Sequence, residues 1–193
     1  FRVNGVSLGA SATRTYTTST LNNNDVVDVI VTTAAGCSST STGIATTVNP
    51  AITATLTSSD ADNTICAGES VTFTALPSGA ATYNFRLNGA SVISSASDTY
   101  TTSALADGSV VDVIITTAAG CTSTSAGITT TVNPLPGATL VSSDGDNIIC
   151  AGTSVTFTAA PSGAASYDFR VNGVSLGASA TRTYTTSTLN NND

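Results

Sequence analysis

The chain has 193 residues and a net charge of −7, with five arginines, no lysine and no histidine. So few cations exclude a surface that follows nucleic-acid phosphates or an anionic membrane, and no apolar run reaches the roughly 18 residues of a membrane span. Threonine (37) and serine (26) make up about a third of the chain, but without histidine or lysine these hydroxyls lack the usual general bases of hydrolases.

An internal repeat with a period of 84 organises the whole chain. Residues 1–25 recur letter for letter at 169–193, at twice this offset. Without a gap, 34 of the 50 residues in 1–50 are identical to their counterparts in 85–134. Repetition at a fixed period is typical of tandem arrays, in which each repeat is one structural unit.

The repeat predicts three domains. Residues 1–50 form the C-terminal part of one repeat, 51–134 a complete repeat, and 135–193 the N-terminal part of a third. Asn49–Pro50 and Asn133–Pro134 are predicted linkers, because proline restricts its own backbone and that of the residue before it. We expect the chain to be a window from a longer array.

Seven short strands are predicted in chain order within the complete repeat. Their marks are alternating apolar residues rich in Val, Ile, Thr, Tyr and Phe, with turn residues between them. The predicted ranges are 53–58, 70–76, 82–88, 91–95, 98–104, 110–117 and 126–132. Seven strands in one repeat, with no helical periodicity, predict an all-β fold of tandem immunoglobulin-like antiparallel sandwiches.

The segments TICAGESVTFTA, YNFRLNG, YTTSALADGSVVDVIITTAAGC and ITTTVNP carry a resemblance to a known family. They resemble the Ig-like and PKD-like tandem repeats of giant Bacteroidetes cell-surface adhesins, of the SprB gliding-motility type and its relatives. The resemblance implies type IX secretion, an extracellular position on the cell surface, and assembly into a long filament. It brings no catalytic motif.

Two functions are compatible with such a repeat. The first is a structural and adhesive segment of a surface filament, in cell adhesion or gliding motility. The alternative is a spacer array in a secreted multidomain polysaccharide-degrading enzyme, with its catalytic domain elsewhere. In both, the chain itself is not an enzyme. The expected partners are neighbouring repeats, other copies alongside in a filament, and surface glycans or abiotic surfaces, but neither nucleic acid nor the membrane interior.

Each repeat has two cysteine positions. Cys37 and Cys121 occupy the first of them in successive repeats, and Cys66 and Cys150 occupy the second. No CxxC pair and no histidine accompany them, which argues against zinc. Three outcomes stay open: a Cys66–Cys121 bond within a repeat, a bond between a Cys66-type thiol and the Cys121-type thiol of the following repeat, and free thiols. The predicted strand order places Cys66 and Cys121 at opposite ends of the sandwich, which speaks against the first outcome.

An acidic loop, DADN in the complete repeat and DGDN in the next, is the candidate metal site. Carboxylate and amide oxygens are ligands that calcium prefers, although it takes six to eight of them. The ordinary alternative is an Asx-turn with solvated carboxylates. The candidate ligands of this weak calcium site are Asp60, Asp62, Asn63, Asp144, Asp146 and Asn147. No other cofactor is expected.

Arginine and aspartate also recur at fixed positions. One position of the repeat is occupied by Arg2, Arg86 and Arg170. A second position, on the strand predicted to pair with the arginine strand, is occupied by Asp28 and Asp112. We predict a cross-strand ion pair between Arg86 and Asp112 that contributes little to stability. Carbohydrate recognition by the arginine is the alternative role.

Overall fold

The computed structural model describes residues 1–191 and 193, and there the chain contains strands and no helix. The all-β prediction is therefore confirmed. No helix in this part of the chain could cross a membrane. The chain forms two compact units, Phe1–Val132 and Asn133–Asp193, and the division into three domains stays a prediction.

The segment 1–50 forms six short strands, which pair only with one another among the described residues. They are β1 (Arg2–Val3), β2 (Val6–Ser7), β3 (Val26–Asp28), β4 (Ile30–Thr32), β5 (Ser38–Thr40) and β6 (Ile44–Ala45). Strands β2, β1, β3 and β6 form one sheet in that order, and β4 pairs with β5.

The complete repeat forms nine strands, of which seven coincide with the predicted ones to within a few residues. They are β7 (Thr55–Ser58), β8 (Thr64–Cys66), β9 (Val71–Leu76), β10 (Thr82–Leu87), β11 (Ala90–Ser95), β12 (Thr99–Thr102), β13 (Ser109–Thr116), β14 (Thr122–Thr124) and β15 (Ile128–Asn133). Strands β8 and β14 were not predicted, because three residues are too few to show an alternating pattern.

These strands form a two-sheet sandwich. One sheet has the order β11-β10-β13-β15-β8, with β14 also paired to β13, and the other has the order β12-β9-β7. The alternating residues that predicted the inner faces are those that are buried. The core consists of Ala54, Ile65, Val71, Phe73, Ala75, Tyr83, Phe85, Leu105, Val111, Val113 and Ile115.

A tight turn and a buried tyrosine hydroxyl fix two connections between strands of the complete repeat. At the β10–β11 hairpin, Asn88 and Gly89 both have positive φ, of 51° and 81°, as a type I′ turn requires. Before β10, the fully buried Tyr83 donates a hydrogen bond from its hydroxyl to the carbonyl of Pro77 (2.8 Å) and accepts one from the amide of Ala80 (3.0 Å). The tyrosine thereby ties the loop between β9 and β10 to the core.

The second compact unit contains counterparts of β7, β9, β10, β11 and β12. They are β16 (Thr139–Ser142), β17 (Val155–Ala160), β18 (Tyr167–Val171), β19 (Val174–Ser179) and β20 (Thr183–Thr186). The counterpart of β8 forms no strand here, because residues 135–193 hold no counterpart of its partner β15. Consequently Ile149 is only half-buried, whereas its counterpart Ile65 is 3% exposed.

Candidate functional site

The predicted arginine–aspartate pair is present in both repeats that contain its two members. Arg86 lies opposite Asp112 in the β10–β13 ladder and donates two hydrogen bonds to its carboxylate, of 2.6 and 2.8 Å. Arg2 and Asp28 make the same contact at 2.6 and 2.7 Å. The Arg2 guanidinium lowers the pKa of the Asp28 carboxyl, and Asp112 raises the pKa of Arg86. Because two donors of each of these guanidinium groups are occupied, the pair acts as a strand clamp.

The third arginine of this series has a different neighbour. Arg170 Nε lies 3.8 Å from Asp168 Oδ2, a residue of its own strand, and its side chain is 65% exposed. One repeat period after Asp112, its counterpart would fall beyond Asp193. The clamp is therefore confirmed only in the two repeats whose sequence supplies both partners.

The four cysteines are free thiols in the structure. Cys37, Cys66 and Cys150 are exposed, and Cys121 is half-buried. Cys121 lies in the turn after β13, where its amide donates to the hydroxyl of Thr117 (3.1 Å) and its carbonyl accepts from the amide of Thr117 (2.9 Å).

The strand ladder separates Cys66 from Cys121. Asn63, three residues before Cys66, accepts a hydrogen bond at its carbonyl from the amide of Thr131, level with the start of β13 at Ser109. Cys121 lies past the far end of β13, which is about 23 Å from Ser109 at the rise per residue of a strand. The three residues from Asn63 to Cys66 can shorten this distance by at most about 10 Å. The remaining distance exceeds the roughly 4.4–6.8 Å between Cα atoms in a disulfide. This geometry disfavours a bond within the repeat, while a bond to a following repeat stays a prediction.

In the first acidic loop, carboxylates hold the backbone. Asp60 Oδ2 and Asp62 Oδ1 both accept a hydrogen bond from the amide of Thr64, at 2.7 and 3.0 Å. Asn63 adopts a φ of 56°, and its Oδ1 is buried without a hydrogen-bond partner in the described part of the chain. The loop thus has the hydrogen bonds of an Asx-turn.

The second acidic loop repeats only part of this arrangement. Asp146 Oδ1 accepts from the amide of Ile148 (3.0 Å), and Asn147 has a φ of 59°. Asp144, unlike its counterpart Asp60, does not join this contact, and its Oδ2 is buried with no hydrogen-bond partner among the residues that the structure describes. Within the described residues, no group of three or more His, Cys, Asp or Glu side chains could hold a metal ion. The oxygens present fall short of a calcium shell, and calcium stays a prediction.

The outer face of the β12-β9-β7 sheet carries rows of hydroxyl groups. Thr57, Thr74 and Thr99 lie directly opposite one another on the three strands. In the next row Thr72 lies opposite Thr101, with a distance of 2.8 Å between their hydroxyl oxygens. Within a row, residues on neighbouring strands are about 4.8 Å apart, and successive rows are about 6.7 Å apart along the strands. We call these five residues, together with Ser59 beside Thr72, the threonine face.

The same face recurs in the second compact unit. Thr158 lies opposite Thr183, and Thr156 opposite Thr185 with 2.9 Å between the hydroxyl oxygens. One member differs, since Val141 stands where Thr57 stands in the complete repeat. The alignment of these rows was not predicted from the sequence, because it depends on strand pairing between distant segments.

No family model matches the chain, and no curated protein matches it. Among solved structures, the fibronectin(III)-like modules of CbhA from Clostridium thermocellum are similar, with 19% sequence identity, coverage of 70% of this chain and 79% of that chain, and a TM-score of 0.40. A likeness of this degree supports neither a family nor a function.

Proposed function

We propose that the chain is a structural and adhesive segment of a long extracellular surface filament, in which the 84-residue sandwich is the repeating mechanical unit. The observation that carries the proposal is the recurrence of one local structure at one period. The Arg2–Asp28 and Arg86–Asp112 clamps have the same strand register and the same shortest distance of 2.6 Å. A repeat that retains even its cross-strand contacts fits an array of identical load-bearing parts.

The topology of the complete repeat suits a role under tension. Strand β8, near its start, is hydrogen-bonded to β15, its last strand, with the Thr131 amide donating to the Asn63 carbonyl at 2.8 Å. A pull on the two ends of the repeat acts on β7, which pairs with β9, and on β15, which pairs with β13 and β8. Unfolding breaks the hydrogen bonds between β8 and β15. It also exposes Ile65, which is only 3% exposed in the folded repeat.

The surface composition also fits an extracellular thread. Only 9% of the residues are charged, and the hydroxyl-rich strands remain polar without lysine or histidine. Export by the type IX route and a part in gliding or surface attachment follow from the resemblance to giant adhesin repeats. The spacer role in a secreted polysaccharide-degrading enzyme uses the same sandwich. It differs in the location of the protein and in the catalytic domain to which the repeats are joined.

Imaging of intact cells tests this proposal. Antibodies raised against the 193-residue chain should label threads that extend from the cell surface, and non-immune antibodies serve as the control. Label confined to the culture medium, co-purifying with polysaccharide-hydrolysing activity, would replace the filament by the spacer role. Label seen only after the cells are permeabilised would overturn both.

A further inference from the structure

The threonine face has no charged member, unlike the other sheet of the same repeat. Its six residues are Ser59, Thr57, Thr72, Thr74, Thr99 and Thr101, whereas the outer face of the six-stranded sheet carries the Arg86–Asp112 clamp. Each threonine presents a hydroxyl and a methyl group from one rigid, β-branched side chain. The face therefore offers alternating polar and apolar contacts at fixed spacing, with no ionic group to attract or repel a partner.

The centre of the face has free hydrogen-bonding capacity. Within the described residues, the Thr74 hydroxyl has no hydrogen-bond partner, and neither has that of Thr158 at the same position in the second unit. Around Thr74, Thr72 is paired with Thr101, and Thr57 donates to the carbonyl of Thr74 at 3.3 Å. In the complete repeat the neighbouring side chains are thus held in place, and the central hydroxyl stays available in both units.

From this arrangement we propose that the threonine face binds a neutral polysaccharide, an inference that rests on the adhesive role proposed above. A sugar chain offers hydroxyl groups and C–H groups in the same mixture as the face, and a neutral one carries no charge. The net charge of −7 disfavours acidic polysaccharides and a second copy of the chain, since both would bring like charge to the surface.

One face alone binds weakly. The face is open and has no exposed aromatic ring, because Tyr100 of β12 turns inward onto Phe73 and Phe85, with ring centroids 6.4 and 5.7 Å away. Affinity must then come from several faces on one chain engaging one polymer, which multiplies weak contacts through effective concentration. The recurrence of the face in the second unit supplies this multivalency.

Binding of the full chain to particles of cellulose, chitin and cross-linked dextran tests the inference, with alginate beads as the acidic comparison. We expect retention on at least one neutral polymer, little effect of added salt, and no retention on alginate. The double variant Thr74→Val and Thr158→Val removes both central hydroxyls and keeps the side-chain shape. Retention should fall about fivefold for each hydroxyl that bonds the polymer.

The matched control is the double variant Thr129→Asp and Thr131→Asp, which places two carboxylates on exposed positions of β15 in the other sheet. This control should bind like the unaltered chain, whereas Thr74→Asp with Thr158→Asp should abolish retention. Circular dichroism and melting temperature identify any variant that has lost its fold, and the valine variant then decides.

The inference is overturned by an absence of retention on all three neutral polymers, by equal binding of the valine variant and the unaltered chain, by preference for alginate, or by retention that appears only with self-association. None of these results affects the labelling of threads on cells, so the filament proposal would stand without the glycan face.

Discussion

The hydroxyl of Tyr83 offers a sharp test of how the small core of the complete repeat is held. Its side chain is fully buried, and the hydroxyl makes two hydrogen bonds to the loop before β10, at 2.8 Å to the Pro77 carbonyl and 3.0 Å to the Ala80 amide. Tyr83→Phe removes both bonds and keeps the ring. At about 1 kcal/mol for each bond, the free energy of unfolding should fall by about 2 kcal/mol. For a repeat of this size that corresponds to a melting temperature lower by about 10 °C.

Tyr100→Phe is the matched control for this change. Tyr100 packs against Phe73 and Phe85, but its hydroxyl has no hydrogen-bond partner among the described residues. Calorimetry of the full chain should therefore show the loss in Tyr83→Phe and almost none in Tyr100→Phe. If both variants melt at the temperature of the unaltered chain, the hydroxyl does not tie the loop to the core and the reasoning is wrong.

Three further predictions concern pH, packing and metal. Hydrogen bonds from the backbone amide of Asn22, the largest cause, and from the Asn4 side chain lower the pKa of Asp25. The contribution of Asp25 to stability is therefore present above the usual pKa and is lost as the pH falls through the lowered pKa. The urea midpoint of Asp25→Ser should fall less steeply with decreasing pH than that of the unaltered chain. Gly127→Ala should cost about 1–3 kcal/mol in urea unfolding, because a Cβ there would lie 2.6 Å from Val110 Cγ1, and an unchanged midpoint would contradict this contact. Chelator should leave the melting temperature unchanged, because the carboxylates of the first acidic loop already accept hydrogen bonds from a backbone amide. A melting temperature that falls with chelator and returns when calcium is added would establish the metal site.

The fold could be predicted from the sequence wherever the pattern was long and local. Strand β13, with Val111, Val113 and Ile115 on its buried face, shows a clear alternation along its whole length. The Asn88–Gly89 hairpin has an equally strong local signal, since only a few residue pairs accept positive φ at both positions. The Arg86–Asp112 clamp followed once β10 was paired with β13.

What the sequence did not show depends on long-range pairing or on single contacts. Strands β8 and β14 are too short for a pattern and exist because β15 and β13 offer them an edge. The alignment of Thr74 with Thr57 and Thr99 requires the register of three strands from separate segments. The Tyr83 hydrogen bonds left one trace, a tyrosine three residues after an alanine in the PSGA loop, which recurs with Tyr167.

The central claim, that the 84-residue sandwich is an independent mechanical unit, is tested most directly by pulling the full chain between two handles. We expect a distinct unfolding event that releases about 290 Å of contour length, less the folded length of the repeat, because this is the span of one fully extended repeat. Extension without a step of this size, or a single event that releases the whole chain at once, would contradict the claim.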